Sequence, residues 1–325
     1  MRMIQESFCV HPHPPFCLDL TVWALRRRAH NWIDRWDGTT YTRVLLVDQG
    51  PVKVEVSQLP PISPPHVQVN VWSSEPSADL SRRVKEALQR MLGFSLDLAG
   101  WYALAEHDPT LSPLARRFAG MKPPRFPSLF EALLNAFACQ QVTLDVGLSL
   151  LNRLAETYGM PFADGQDVYR AFPRPDAIAT ASIEDLRALG FSRQKARAML
   201  ELATRLVQEP HALSPLEGMS NEEVSSTLSS LRGVGRWTAE YVLLRGLGRL
   251  VTFPGDDVGA QRNLQRLLHL AEKPTYDTIQ ALTAPWHPYA GLIYFHLLLD
   301  ALEKHGVIEA ARLPLPQGST TDPGR

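Results

Sequence analysis

Two short segments carry the residues whose types and spacing suit chemistry, Leu228 to Leu244 and Val251 to Arg262. The first reads as helix, tight turn, helix. Gly233 and Gly235 bracket Val234, so the backbone can turn sharply and approach a partner with no Cβ in the way. Consecutive amides then point outward at the start of the second helix, where free N–H groups suit a phosphate. Arg232, Arg236 and Thr238 lie beside them to add charge or hydroxyl contacts. A plain turn between two helices is the alternative. In the second segment Pro254-Gly255 forces a loop, and Asp256 and Asp257 follow, with Asp257 at the start of a helix containing Leu264, Leu267 and Leu268. One reading of Asp257 is a helix N-cap. The other is a fixed anion beside a developing cation. Cleavage of an N-glycosidic bond in DNA passes through a sugar with oxocarbenium character, which a carboxylate near C1′ stabilises or to which it directs a water. A carboxylate that follows a phosphate-gripping turn fits that second reading.

Helices and a small sheet must position these segments. Asn221-Glu222-Glu223 is expected to cap the first hairpin helix, whose Val224, Leu228 and Leu231 share a face. Upstream, Tyr41 to Val47, Val52 to Val56 and Val67 to Val71 are rich in β-branched and aromatic residues and are separated by Gly50-Pro51 and by a proline cluster around Pro60 to Pro65. They predict strands of an antiparallel sheet. A helix is predicted from Ala78 to Met91, with Leu80, Val84, Leu88 and Met91 on one face, and the segment Leu18 to Arg28 completes a small α/β unit. From Ser95 onward the strand signal disappears and apolar residues recur at helical spacing to Leu302. Prolines at 123–124, 173–175, 210 and 215 divide these helices. The fold class is therefore α+β, with a sheet-and-helix domain over residues 1–110, an all-helical two-lobed domain over 111–312 and a disordered tail over 313–325. No internal repeat at a fixed period is present.

Composition narrows the function classes. The chain of 325 residues is 45% hydrophobic, enough for two or three compact cores. Its N-terminus has no apolar signal region, and the longest apolar run, Gly291 to Leu302, is interrupted by His296 and Asp300. It falls short of the roughly 18 to 20 residues of a membrane span, so a cytoplasmic protein is expected. Three cysteines, Cys9, Cys17 and Cys139, are too few and too scattered for a disulfide framework, a four-cysteine zinc site or a thiolate-held cluster. Cys139 lies on an apolar helix face and reads as packing. The net charge of -1 excludes a protein that coats nucleic acid through bulk positive charge. Any nucleic-acid site must be local, and arginines and lysines between Arg187 and Arg266 could supply it or could be solvated helix faces.

These segments resemble the helix-hairpin-helix DNA glycosylase superfamily, and most of all its AlkA-type 3-methyladenine DNA glycosylases. The resemblance is strongest over residues 123–300 and rests on Ala138 to Thr143, Gly190 to Ala196, Leu231 to Tyr241 and Phe253 to Val258, in that order. It implies that Asp257 is the catalytic carboxylate, with Asp256 a neighbour of unassigned role. It implies that Gln141 is the wedge that replaces an extruded nucleotide in the duplex. Gln140, Trp237 and Tyr241 fall at substrate positions, and an electron-rich indole suits a cationic alkylated purine; core packing is the alternative for both aromatics. It assigns Arg232, Gly233, Val234, Gly235, Arg236 and Thr238 to DNA contact, and the carbonyls of Ser229, Leu231 and Val234 to a structural Na+ or K+. No cofactor is required. Relatives with lyase activity place a lysine where Trp237 stands, so covalent amine catalysis at that position is excluded.

The sequence departs from the AlkA pattern over Trp286 to Leu292, where an expected arginine is missing. A pocket tryptophan is replaced near Leu298, with Tyr294, Phe295 and His296 close by; His296 reads as a core histidine. Three functions follow. The first is a monofunctional enzyme, monomeric, that excises alkylated purines from double-stranded DNA, a chemistry that needs no strong general acid because such bases leave readily. The second is the same reaction on oxidised or deaminated bases such as 8-oxoguanine or hypoxanthine. The third is a non-catalytic hairpin that tethers a complex to DNA.

Overall fold

The computed structural model describes residues 4–48, 50–60, 64–74 and 79–309. A five-stranded antiparallel sheet occupies the N-terminal part, built from β1 (Ile4–Val10), β2 (Arg35–Trp36), β3 (Thr40–Val47), β4 (Gly50–Leu59) and β5 (His66–Ser73), in the order β1-β5-β4-β3-β2. The predicted strands are thus present, joined by two edge strands that the sequence reading lacked. The register places Tyr41 opposite Val56 and Arg43 opposite Val54. It places Val54 opposite Val71 and Val56 opposite Val69. Side chains two apart share a face, so these valines form one buried layer beneath α1 (Leu18–Arg26) and α2 (Leu80–Leu92).

Arg43 lies in that layer, 2% exposed, and its charge is answered at both ends. Nη1 donates to Asp34 Oδ1 at 2.6 Å and Nη2 to Glu131 at 2.6 Å. This buried triad ties the sheet to the helical part. Replacing a triad of this kind with apolar groups is often neutral, whereas breaking it strands a charge; its structural effect here is to fix where Glu131, and so the helix that carries it, lies against the sheet.

The remaining helices are α3 (Ala99–Glu106), α4 (Leu111–Arg117), α5 (Leu129–Cys139), α6 (Leu144–Tyr158), α7 (Pro175–Ala179), α8 (Ile183–Ala188), α9 (Arg193–Gln208), α10 (Asn221–Ser229), α11 (Arg236–Arg245), α12 (Val258–Leu267), α13 (Tyr276–Thr283) and α14 (Ala290–Lys304). The expectation that everything past Ser95 is helical needs one correction. Strands β6 (Pro161–Asp164) and β7 (Asp167–Arg170) form a hairpin after α6. Gly165, at φ +63°, makes the two-residue turn. The hairpin covers the other face of the sheet, where Phe162 and Ala171 bury with Val44, and Lys53 lies over the Tyr169 ring.

Two apolar clusters divide the helices. One joins the sheet, α2 and α5–α10. The other joins α3, α4 and α12–α14. Two helices belong to both. From α1, Val22 and Leu25 enter the first cluster while Leu20, Trp23 and Ala24 enter the second; from α11, Leu243 enters the first and Leu244 the second. Among the described residues no helix is long and apolar enough to cross a membrane. The expected tail at 313–325 lies outside the described residues.

Candidate active site and nucleic-acid interface

The hairpin between α10 and α11 begins with a cap one residue before the expected one. Ser220 is the N-cap of α10, accepting from Glu223 N at 3.2 Å, and Glu223 returns a carboxylate to Ser220 N at 2.8 Å. This reciprocal pair satisfies two end amides at once. The turn that follows closes through Val234 N to Leu231 O at 3.2 Å. Gly233 sits at φ +78°, and a Cβ there would lie 3.1 Å from the Ala198 Cβ on α9, so both backbone and packing require glycine. Gly235 caps α11 with no side-chain hydrogen bond, and the first turn of α11 holds no acidic residue. Its leading amides are left for an anion.

The residues expected to line that anion site are held in distinct ways. Arg232 is exposed and pairs with Glu201 at 2.7 Å. Arg236 pairs with Asp256 at 2.7 Å and lies 3.6 Å from the Tyr276 ring centroid. Thr238 is buried, and its hydroxyl accepts from Gln140 Nε2 at 2.8 Å. The same Gln140 nitrogen donates to Gly233 O at 2.8 Å. Gln140 therefore clamps the end of α5 to the hairpin. From the other side Lys195 Nζ donates to Gln140 O at 2.7 Å and to Ala138 O at 3.1 Å. With Gln140 held twice, the next residue is thrown outward: Gln141 has φ +54° and an exposed side chain. A non-glycine residue in the left-handed region is uncommon, and such strain concentrates at working positions. Of the carbonyls assigned to a monovalent cation, Leu231 O already accepts the Val234 amide, and it keeps a second lone pair.

Asp257 satisfies both readings of the sequence. It is the N-cap of α12, with Oδ1 accepting from Ala260 N at 2.9 Å. Its other oxygen, Oδ2, accepts from Trp237 Nε1 at 3.3 Å and from Tyr294 OH at 3.2 Å. The half-buried carboxylate is thus gripped by three donors, two of them aromatic. Asp256, left without a role by the sequence, anchors Arg236 instead. The Pro254-Gly255 loop is fixed from behind: Gly255 N donates to Glu240 Oε2 at 3.2 Å, Tyr276 OH donates to Glu240 Oε1 at 2.5 Å, and Gln261 Nε2 donates to Gly255 O at 2.8 Å. Burial raises the Glu240 carboxyl above its ordinary range.

Trp237 and Tyr241 adjoin, with ring centroids 5.3 Å apart and planes 34° from parallel. Tyr241 is buried, and its hydroxyl accepts from Arg27 Nη1 at 2.9 Å. Burial raises the tyrosine, against the opposing pull of Arg27 and Arg245. Tyr294 is likewise raised by burial and then by the Asp257 charge. Two groups at this site escaped sequence reading. Tyr294 stood among the residues near a departure from the family pattern, and no local signal tied it to Asp257. Arg27 comes from the far end of the chain. His296, by contrast, is a core residue: fully buried, bonded to Leu292 O at 2.9 Å and 4.9 Å from the Trp101 ring.

The fold thus sets the open N-terminus of α11 in the same region as the carboxylate held by Trp237 and Tyr294. Residues 134–288 match the HhH-GPD superfamily of base excision DNA repair proteins. The chain is 31% identical over 201 residues to DNA-3-methyladenine glycosylase of Bacillus subtilis, covering 62% of this chain and 66% of that protein. For a second Bacillus subtilis relative, YfjP, the match spans 58% of its length. Over 284 residues the chain is 26% identical to DNA-3-methyladenine glycosylase 2 of Escherichia coli, covering 87% and 94% of the two chains. The fold is that of a 3-methyladenine DNA-glycosylase from Archaeoglobus fulgidus, with a TM-score of 0.80 at 24% identity over 93% of this chain and all of that one.

Proposed function

We propose that this protein is a monofunctional DNA glycosylase that extrudes a damaged, alkylated purine from duplex DNA and hydrolyses its N-glycosidic bond, opening base excision repair. The observation that carries the reading is the Asp257 carboxylate, with one oxygen spent on capping α12 and the other held by Trp237 and Tyr294. A catalytic anion must keep its place while charge develops opposite it, because preorganised groups cost no reorganisation at the moment of reaction.

The remaining parts have roles in sequence. The amides opening α11, with Gly233, Val234 and Gly235 giving close approach, hold a backbone phosphate beside the lesion. Arg232 and Arg236 exchange Glu201 and Asp256 for phosphate oxygens. Thr238 and Gln140 keep the hairpin and the end of α5 in register, and Gln141 fills the gap in the duplex. The extruded base stacks on Trp237 and Tyr241. As the bond to C1′ breaks, its electron pair leaves with the base, and Asp257 faces the positive sugar and orients the water that adds to it. An indole at Trp237 cannot form a Schiff base, so the product is an intact strand with an abasic site. The carbonyls of Ser229, Leu231 and Val234 hold Na+ or K+ as a structural brace, and the chemistry needs no cofactor. One active site on one duplex makes the monomer the working unit, acting on the cytoplasmic nucleoid.

Purified protein incubated with duplexes carrying one lesion each, with products resolved before and after hot alkali, tests this. The expected result is strand breakage only after alkali, slowed by about 10²- to 10³-fold in Asp257→Asn with duplex binding kept. Breakage without alkali contradicts the role of Trp237. Binding with no release from any lesion leaves a tethering module.

A further inference from the structure

Of the four segments that carry the family resemblance, Gly190 to Ala196 supplies no group to the proposed chemistry. It lies instead against both helices that flank Gln141. A Cβ on Gly190, which has φ +102°, would meet Arg153 Nη2 at 3.0 Å and Leu150 Cδ2 at 3.1 Å, both on α6. Lys195, further along the segment, reaches the end of α5. Ser192 caps α9 by accepting from Lys195 N at 3.3 Å, so the lysine leaves from the first turn of that helix. Its half-buried side chain donates through Nζ to Gln140 O at 2.7 Å and to Ala138 O at 3.1 Å. The last carbonyls of a helix have no partner within it, and a cation there also meets the negative end of the helix dipole. Capping α5 accounts for the Ala138 contact. The Gln140 contact acts further, because that oxygen belongs to the peptide joining Gln140 to Gln141.

The torsion φ at Gln141, +54°, records how that peptide is turned about the Gln141 N–Cα bond. For an L-residue this left-handed value is unfavourable, and it persists where neighbouring contacts over-determine it. Lys195 pins the peptide oxygen, Gln140 Nε2 is held by Gly233 O and Thr238 Oγ1 at 2.8 Å each, and Thr143 opens α6 by accepting from Val146 N at 3.3 Å. We infer that Lys195 is a positioning residue for base extrusion: by pinning the Gln140 carbonyl it holds Gln141 outward in the left-handed conformation, so that excision of a paired lesion requires Lys195 and excision of an already unpaired one does not. The inference rests on the glycosylase reading, with Gln141 as its wedge. Without the ammonium the peptide is free to turn, Gln141 relaxes to negative φ, and its side chain swings away. A wedge offsets the loss of pairing and stacking, a cost that is least for a base already unpaired. The contacts of Asp257 come from α11, α12 and α14 and none from Lys195, so bond cleavage in an extruded base is left as it was.

The test compares single-turnover base release, with enzyme in excess, from two duplexes of one sequence. Each carries one N7-methylguanine, opposite cytosine in the first and opposite a tetrahydrofuran abasic analogue in the second. The expected result is that Lys195→Met lowers the paired-to-unpaired ratio of rates by about tenfold, the population cost of a left-handed L-residue that has lost its brace. Gln141→Gly should lower the same ratio, and Lys195→Met added to it should lower the ratio no further, since the two residues act through one conformation. A purely structural role for Lys195 would depress both duplexes together. A ratio in Lys195→Met within about twofold of wild type, or effects of the two substitutions that multiply, overturns the inference and leaves the glycosylase reading standing. If Lys195→Met fails to fold, Lys195→Gln, which keeps a polar end at the half-buried position, carries the same comparison. A ratio unmoved by Gln141→Gly removes the wedge and the inference together. Absence of any Asp257-dependent release from either duplex by the wild-type protein removes the glycosylase reading itself.

Discussion

Tyr294→Phe isolates a single contact on Asp257, the carboxylate proposed to act in catalysis. The hydroxyl donates to Asp257 Oδ2 at 3.2 Å, while Trp237 Nε1 at 3.3 Å and Ala260 N at 2.9 Å hold the same carboxylate from other sides. Phenylalanine preserves the ring packing against Phe253 and Phe295, whose centroids lie 6.0 and 5.7 Å away. Only the hydroxyl is lost. A hydrogen bond to a charged acceptor contributes about 1.5–3 kcal/mol, and an O–H···O separation beyond about 3.0 Å belongs at the weak end of that range. About 1.5 kcal/mol corresponds to roughly tenfold in rate. Under single-turnover conditions with enzyme in excess, base release should therefore slow about tenfold, with affinity for a duplex containing a stable abasic analogue unchanged. A rate equal to wild type would mean that Tyr294 does not hold Asp257 in the transition state. A faster rate would refute the reasoning more sharply, because the hydrogen bond would then be blunting the anion rather than fixing it.

Three further outcomes are expected. Asp257→Asn should slow base release by about 10²- to 10³-fold with little change in melting temperature, since asparagine caps a helix as well as aspartate does; a large drop in melting temperature would make the residue chiefly a cap. Gly233→Ala forces an L-residue to φ +78° against Ala198, 3.1 Å away. It should cost about 1–2 kcal/mol by urea unfolding and weaken binding to undamaged duplex, whereas unchanged binding would detach the hairpin from DNA contact. His296 is pushed down by burial from 6.5 to about 4. The unfolded chain therefore takes the proton first, and stability present above pH 6.5 is lost as pH falls toward 4. The loss at pH 5 is about 2 kcal/mol, and His296→Phe should show a correspondingly smaller fall between pH 7 and pH 5; equal falls would place the acid sensitivity elsewhere.

What the sequence made legible was what lies close along the chain. Pro254-Gly255 ahead of Asp257, and the two glycines around Val234, are local signals, and both elements form where expected. The central strands were legible because Val52, Val54 and Val56 alternate without interruption. Strand β1 was not, because Glu6 interrupts the apolar series Ile4, Phe8 and Val10 on the inward face of an edge strand whose other face is exposed. The β6–β7 hairpin carried its turn signal at Asp164-Gly165, but strands of four residues are too short for periodicity to separate from helix. The site divides the same way. Trp237 and Asp257 are twenty positions apart and were read together, while Arg27 reaches Tyr241 across 214 positions. Nothing local distinguishes Arg27 from Arg26 or Arg28; only the left-handed turn that ends α1 decides which of the three enters the site.

The location of the site at the seam of two apolar clusters explains why its polar groups are so heavily cross-tied. Helix α11 presents Trp237 and Tyr241 near its start and gives Leu243 to one cluster and Leu244 to the other. Its buried face is continuous around the helix, so it cannot rotate without opening both cores. Asp257 hangs from the second cluster through α12, yet its free oxygen is held by Trp237 of α11 and Tyr294 of α14. Arg27 arrives on α1, the other helix shared by both clusters, and Arg245 locks α11 to the carbonyl end of α1 at 3.0 Å. The two shared helices are thus bonded to each other through the arginines that flank Tyr241. A shear between the lobes would have to break these contacts together, so the distance between the Trp237 and Tyr241 rings and the Asp257 carboxylate is set by the packing of both cores. That coupling is what holds the Asp257 carboxylate, carried on a loop, in a fixed place between α11 and α14.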